Sequence, residues 1–116
     1  AFVAESGLRK EKAAIAFESR LLRGPWRGPY TDFELRRFGK EGIKKIKVIC
    51  PAFVTDCLET LEEIGMRGVE EFTSTGGESL TLVPCMNAHP KWIEFLANRI
   101  EKWHTASAEN FIFSPL

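Results

Sequence analysis

The sequence has no long apolar segment. No run of eighteen apolar residues occurs in its 116 residues, which excludes a transmembrane helix. Arg9, Lys10 and Lys12 interrupt the only apolar start, so we expect no secretory signal peptide. There is also no internal repeat or low-complexity segment. A chain of this length fits one domain, and we expect residues 1–116 to form it, with a tail from about Thr105 as a candidate for disorder.

Cysteine is scarce, and the three cysteines, Cys50, Cys57 and Cys85, are far apart in the chain. An odd number without CxxC spacing argues against a disulfide framework and against a structural zinc site. Because an iron–sulfur cluster as a rule needs four ligands, we expect no such cluster in this chain alone. We also expect no tightly bound cofactor. We interpret the cysteines as reduced and mostly buried thiols.

The chain has no net charge, but its charges are unevenly distributed. Residues 1–50 carry twelve Lys/Arg and six Asp/Glu, whereas residues 51–116 carry four Lys/Arg and ten Asp/Glu. A basic half attracts phosphates or carboxylates and an acidic half attracts metal ions, although both could be solvated faces of one compact domain. Basic runs at residues 36–40 and 44–47 raise nucleic-acid binding as a hypothesis, which the zero net charge and the lack of a recognised nucleic-acid fold disfavour.

Helical and strand patterns alternate along the chain. Short apolar or β-branched runs predict strands at residues 14–17, 46–50 and 80–83. Between and around them, apolar stripes and capping patterns predict helices at residues 1–8, 32–40, 56–65 and 90–104. This alternation predicts an α/β domain with a parallel sheet and helices on both faces. Ligands bind such sheets at the carboxyl ends of the strands, here after Phe17, Cys50 and Val83.

Local signals fix several helix ends. Thr31 and Glu34 have the spacing of a capping box, and Gly42 lies beyond the predicted end of that helix. Asp56 and Glu59 repeat the capping pattern. Gly65 and Gly68 predict that the helix beginning near Asp56 stops or breaks at these glycines. Pro90 suits the first position of the last helix.

Three stretches carry a resemblance to a known family. The first comprises residues 18–26 followed by residues 29–32, the second residues 48–64, and the third residues 83–87. The second, Val-Ile-Cys-Pro-Ala-Phe-Val-Thr-Asp-Cys-Leu-Glu-Thr-Leu-Glu-Glu-Ile, is the most specific because it matches over more than a dozen consecutive positions. Together they resemble the ferrochelatase family, in the same order and at similar spacing. The resemblance covers nearly all of this chain and well under half of a complete ferrochelatase.

The resemblance implies an enzyme of heme biosynthesis that inserts Fe²⁺ into a porphyrin, such as protoporphyrin IX or coproporphyrin III. It also implies a Rossmann-like parallel sheet with flanking helices, forming one half of a two-domain chelatase fold. The chain starts with Ala1 in a helical pattern, so we expect a fragment or processed product whose amino-terminal half is missing. A cytoplasmic or peripheral membrane location is expected. The alternative is a non-catalytic half-domain that binds porphyrin or a partner.

The resemblance assigns roles to two carboxylates. Glu59 would face the porphyrin centre, in metal delivery or pyrrole proton transfer, and Glu63 would belong to a metal path. Fe²⁺ can enter and leave a carboxylate, and burial that raises the pKa of Glu59 would make it a proton acceptor. Because the two residues are four apart, they share one helical face. The alternatives without a functional role are a capping role for Glu59 and a solvated face for Glu63.

Three further residues would contact the macrocycle. The resemblance places Phe53 and Trp26 in the wall of the porphyrin pocket, where flat aromatic side chains pack well. Arg20 would pair with a propionate through a bidentate contact. The alternatives are core packing for the two aromatic residues and a surface ion pair for Arg20.

Three departures from the family pattern bear on activity. Leu22 stands where relatives often carry Gly, and Glu18 where they often carry Gln. The family's catalytic histidine belongs to an upstream Ser-x-His-type motif that this chain lacks, and neither His89 nor His104 matches it. We therefore expect the isolated chain to be inactive.

Overall fold

The structure is a computed structural model that describes residues 2–18 and 27–105. Its helices are α1 (Phe2–Glu5), α2 (Thr31–Lys40), α3 (Val69–Ser74) and α4 (Pro90–Thr105), with a short 3₁₀ turn at Lys10–Lys12. A π-helix, Glu59–Gly68, leads directly into α3. The strands are β1 (Lys45–Val48) and β2 (Ser79–Leu82). The tail beyond Thr105 lies outside the described residues.

The two strands form a parallel sheet. Lys45 pairs with Ser79 and Val48 with Leu82, and the π-helix and α3 make the crossover between the strands. Along β1 and β2 alternate residues are half-buried and exposed, as expected when one face of a strand packs against helices. Helices combined with a parallel sheet confirm the predicted α/β class, and the strands predicted at 46–50 and 80–83 are confirmed to within two residues.

The strand predicted at residues 14–17 is wrong. Phe17 alone is paired, through its amide to the Pro29 carbonyl at 2.8 Å and through its carbonyl to the Thr31 amide at 3.1 Å. Pro29 has no amide hydrogen with which to extend this ladder. Ile15 is 76% exposed, so the apolar run is not the buried strand that its composition indicated.

Helix α2 begins one residue earlier than a capping box at Thr31 would require. Thr31 is its first residue, and the Glu34 amide donates to the Tyr30 carbonyl at 3.0 Å. The Glu34 carboxylate instead pairs with Arg37 at 2.7 Å, so the predicted capping box is wrong. The predicted helix end is confirmed: Gly42 has a φ of 84°, a left-handed conformation that favours glycine.

The helix that follows β1 does not stop at its glycines. It continues through Gly65 and Gly68 into α3. A Cβ at Gly65 would lie 3.3 Å from Leu82, and one at Gly68 would lie 3.0 Å from Leu35. The predicted break is therefore wrong because these glycines serve close packing of the helix against β2 and α2.

A small core holds these elements together. Leu35, Ile64 and Phe72 are each less than 5% exposed, and Thr60 is buried with them. These residues come from α2, the π-helix and α3, so the core stabilises the helix that carries Glu59. Burial of side chains of this size contributes about 1.5–3 kcal/mol each.

Helix α4 keeps an apolar side open to solvent. It begins at Pro90, as predicted, and none of its residues is buried. Its apolar side is formed by residues between 36% and 59% exposed: Ile93, Leu96, Ile100 and Trp103. In the described part of the chain, no helix combines the length and apolarity needed to cross a bilayer.

Candidate functional site

A cleft of about 410 Å³ lies between the chain around Phe17, helix α2, the π-helix and α3. Among the described residues, most of its polar lining is acidic. The lining residues are Phe17, Glu18, Tyr30, Asp32, Leu35, Glu59, Glu63, Arg67, Gly68 and Glu71. Of the three loops predicted to bind a ligand, the one after Phe17 contributes Glu18 to the lining. The described residues of the loops after Cys50 and Val83 do not line the cleft, and the prediction is wrong for these two loops.

Glu59 is the first residue of the π-helix and is half-buried. Hydrogen bonds from the Cys57 thiol and from its own backbone amide lower the pKa of its carboxyl group. The hypothesis of a pKa raised by burial is therefore wrong for the described structure. An ionised carboxylate is a good oxygen ligand for a cation and a weaker proton acceptor.

Glu63 lines the same cleft, and the predicted common face with Glu59 is confirmed. Its Oε1 lies 3.2 Å from Nη2 of Arg67, whose Nε also lies 2.8 Å from Oε1 of Glu62. Arg67 thus offsets part of the negative charge. Glu62 does not line the cleft and is half-buried in its pair with Arg67.

Sequence reasoning missed the rest of the acidic lining. Glu71 pairs with Arg36 at 2.7 Å, and its second oxygen, Oε2, is buried without a hydrogen-bond partner in the described residues. The signal was present in the spacing, because Glu59, Glu63, Arg67 and Glu71 follow one another every four residues. A π-helix closes i→i+5 hydrogen bonds, so its wider turn keeps residues four apart close to one line.

Of the predicted macrocycle contacts, only Phe53 lies in the described residues. It is half-buried, and its amide donates to the Cys50 carbonyl at 3.0 Å in the turn after β1. Phe53 does not line the acidic cleft. Trp26 and Arg20 lie outside the described residues, so their roles stay predictions.

The cysteines do not form a metal site in the described residues, and no three His, Cys, Asp or Glu side chains there are grouped closely enough to hold a metal ion. Cys50, Cys57 and Cys85 are free, half-buried thiols. Burial raises the pKa of Cys50, and burial together with the Asp56 carboxylate raises the pKa of Cys85 to about 11.

Comparison with known proteins gives one consistent result. A family model described as Ferrochelatase matches residues 1–104. The chain is 53% identical to a ferrochelatase of Opitutus terrae over 107 residues, which are 92% of the chain and 31% of that relative. It is 52% identical to a ferrochelatase of Pseudomonas putida over 102 residues, 88% of the chain and 30% of the relative. No solved structure matches the chain significantly.

Proposed function

The chain belongs to the ferrochelatase family, and on this premise we propose that it supplies the carboxyl-terminal part of a cleft in which Fe²⁺ is inserted into a porphyrin for heme biosynthesis. The chain spans about a third of the length of the curated relatives it matches. The activity therefore belongs to an assembly that also contains the part of the family sequence that this chain does not cover.

The observation that carries this proposal is the pair Glu59 and Glu63 in one acidic cleft. Metalation requires Fe²⁺ to shed its water ligands while two pyrrole N–H protons leave. Carboxylates are oxygen ligands that a divalent ion enters and leaves, whereas thiolates hold it harder. The lowered pKa of Glu59 favours delivery of Fe²⁺ over acceptance of a pyrrole proton.

Two neighbouring groups support passage of a cation through the cleft. The buried Oε2 of Glu71 is without a hydrogen-bond partner in the described residues, and a passing cation would satisfy it. Arg67 pairs with Glu63 at 3.2 Å and so limits how tightly the carboxylates retain a cation. Transfer to a porphyrin needs such intermediate affinity, because an ion held by several free carboxylates would leave slowly.

The remaining wall of the cleft is proposed to come from the amino-terminal part of the family sequence. The open apolar side of α4 supports this, since exposed apolar side chains in a row mark surfaces that another element covers. In the assembled protein, Trp26 and Phe53 are proposed to line the macrocycle pocket and Arg20 to bind a propionate. The proposed location is cytoplasmic or at a membrane surface.

Complementation tests the proposal. The chain is mixed with the amino-terminal part of the Opitutus terrae ferrochelatase, cut before the region that the chain matches, and Fe²⁺ insertion into protoporphyrin IX is followed by Soret absorbance. We expect no insertion by either part alone and insertion by the mixture. Glu59→Gln should lower the rate on the order of a hundredfold. Glu62→Gln is the matched control, since Glu62 pairs with Arg67 but does not line the cleft.

The other outcomes separate the alternatives. A mixture that associates and binds porphyrin, seen as tryptophan quenching, without metalating it would identify a non-catalytic half-domain. A rate unchanged by Glu59→Gln would remove the role proposed for that carboxylate.

A further inference from the structure

Two residues far apart in sequence form a reciprocal pair at the start of the π-helix. The Asp56 amide donates to Oδ1 of Asn87 at 2.9 Å, and Nδ2 of Asn87 donates to Oδ2 of Asp56 at 2.6 Å. Asp56 precedes the π-helix, whereas Asn87 lies in the loop after β2. The pair therefore joins the segments that leave the two strands.

The second oxygen of Asp56 extends this contact into the helix. Its Oδ1 accepts hydrogen bonds from the Cys85 amide at 3.2 Å and from the Thr60 hydroxyl at 3.3 Å. Oγ1 of Thr60 in turn accepts from the Cys57 amide at 2.9 Å. Thr60 is 1% exposed and directly follows Glu59, so the network ends beside the carboxylate of interest.

The loop after β2 is shaped for this contact. Asn87 has a φ of 46°, in the left-handed region that Asn and Asp adopt more readily than other non-glycine residues. Its backbone amide donates to the Val54 carbonyl at 3.0 Å, and this bond holds the loop against the turn after β1. Both ends of the Asn87 residue, backbone and side chain, are thus committed to the segment that leads to Glu59.

We propose that Asp56 and Asn87 are positioning residues that hold the first turn of the π-helix, and with it the Glu59 carboxylate, in place in the acidic cleft. This inference rests on the function proposed for Glu59. Neither residue lines the cleft, so both act through Glu59 rather than on the substrate. The backbone closes this turn through the Leu61 amide and the Cys57 carbonyl at 2.9 Å, and the Asp56–Thr60 network adds side-chain hydrogen bonds to it.

An exchange of the two side chains tests the pairing. Asp56→Asn sets an amide against the Asn87 amide, and Asn87→Asp sets two carboxylates against each other. The double exchange restores one carboxylate and one amide, and it leaves a carbonyl oxygen at position 56 for the Cys85 amide and the Thr60 hydroxyl. Position 87 accepts Asp because its left-handed backbone suits both residues.

The first readout is Fe²⁺ insertion by the chain complemented with the amino-terminal part of the Opitutus terrae ferrochelatase. Each single exchange should lower kcat about tenfold or more, with the KM for porphyrin unchanged, because a charge-assisted hydrogen bond is lost beside Glu59. The double exchange should return kcat to within about threefold of the original value. Wild-type kcat in both single variants, or a double variant no better than the poorer single one, would overturn the inference.

The second readout is hydrogen exchange at the amides of residues 59–63 in the chain alone, which needs no activity. Faster exchange in the single variants and recovery in the double variant would support the positioning role of Asp56 and Asn87. This holds even if the complemented mixture does not metalate porphyrin, so failure of the proposed function remains distinguishable. Equal exchange in all four proteins would refute the positioning role of the pair. A merely structural role would lower thermal stability without separating kcat from KM.

Discussion

At the scale of single residues, charge compensation decides what the cleft can bind. Arg67 is the basic side chain that lines the cleft in the described residues, and it faces several carboxylates there. It lies 2.8 Å from Glu62 and 3.2 Å from Glu63, so a carboxylate that does not line the cleft offsets part of its charge. Among the described residues, no Lys or Arg pairs with the Glu59 carboxylate at these distances, and the Cys57 thiol donates to it. The Glu59 carboxylate is therefore more available to an incoming cation than that of Glu63.

Asp56 makes the stability of the chain depend on acid pH. Hydrogen bonds from Asn87, Cys85 and Thr60 lower the pKa of its carboxyl group. A lowered folded-state pKa adds stability above the ordinary value near 4, and this stability is lost as the pH falls through the folded-state pKa. We expect the free energy of unfolding to fall between pH 6 and pH 3 more in the wild type than in Asp56→Asn.

Urea unfolding followed by far-UV circular dichroism at the two pH values measures this difference. Asn87→Ala removes the strongest donor to Asp56 and should also flatten the pH dependence. The explanation fails if both variants lose as much stability as the wild type over this interval.

Residue spacing could predict only the local part of the site. Glu59 and Glu63 are four apart on one helix, and that spacing alone indicated a shared face. Asp56 and Asn87 are separated by 31 positions, so their contact depends on the register of β1 and β2 and has no local signal. The direction of the Glu59 pKa shift was equally inaccessible, because it depends on the rotamer that brings the Cys57 thiol to the carboxylate.

At the scale of elements, packing against neighbours overrode local preference. Gly65 and Gly68 indicated a helix end, yet they lie where the π-helix approaches Leu82 and Leu35 most closely. The helix gains from this close approach more than it loses through the flexibility of glycine, about 1 kcal/mol per residue. Because π-helices are rare, the apolar stripe and the capping pattern predicted a helix here but not its type.

Helix α3 is held mainly through one aromatic side chain. Phe72 is fully buried, and the backbone of Gly77 lies so close that an added Cβ would meet its ring. We expect Phe72→Ala to lower the free energy of unfolding by about 3–5 kcal/mol, because it removes a large buried side chain and leaves a cavity. Phe33→Ala is the matched control, since Phe33 is 51% exposed and should cost about 1 kcal/mol or less.

Urea titration of both variants provides the comparison. Similar losses for the two substitutions would contradict the placement of the core between α2, the π-helix and α3.

At the scale of the whole molecule, the chain has apolar surface that its own described elements do not cover. The alternation of strands and helices was sufficient to predict the α/β class, because parallel strands need crossover helices that pack on the sheet. It was not sufficient to predict how many strands form, since Phe17 makes only an isolated bridge with Tyr30. The open apolar side of α4 is a further property of the assembly, because amphipathicity in the sequence does not reveal which neighbour covers it.

That open side leads to a prediction about assembly. If the amino-terminal part of the family sequence covers α4, it binds the folded chain and stabilises it by mass action. At a hundred times its Kd, the amino-terminal part of the Opitutus terrae ferrochelatase should raise the free energy of unfolding of the chain by about 2.7 kcal/mol. The joint substitution Ile93→Ser and Ile100→Ser should abolish most of this gain, since both side chains are more than half exposed on the apolar side.

The same substitutions should leave the stability of the isolated chain nearly unchanged, because α4 buries none of its residues in the described structure. The joint substitution Glu94→Ser and Glu101→Ser is the control, since each position lies about 100° around the helix from the isoleucine that it follows, away from the apolar side. Urea unfolding in the presence and absence of the amino-terminal part distinguishes the cases. A gain that survives in the isoleucine variant, or disappears in the glutamate variant, would place the contact elsewhere and leave the apolar side of α4 without this role.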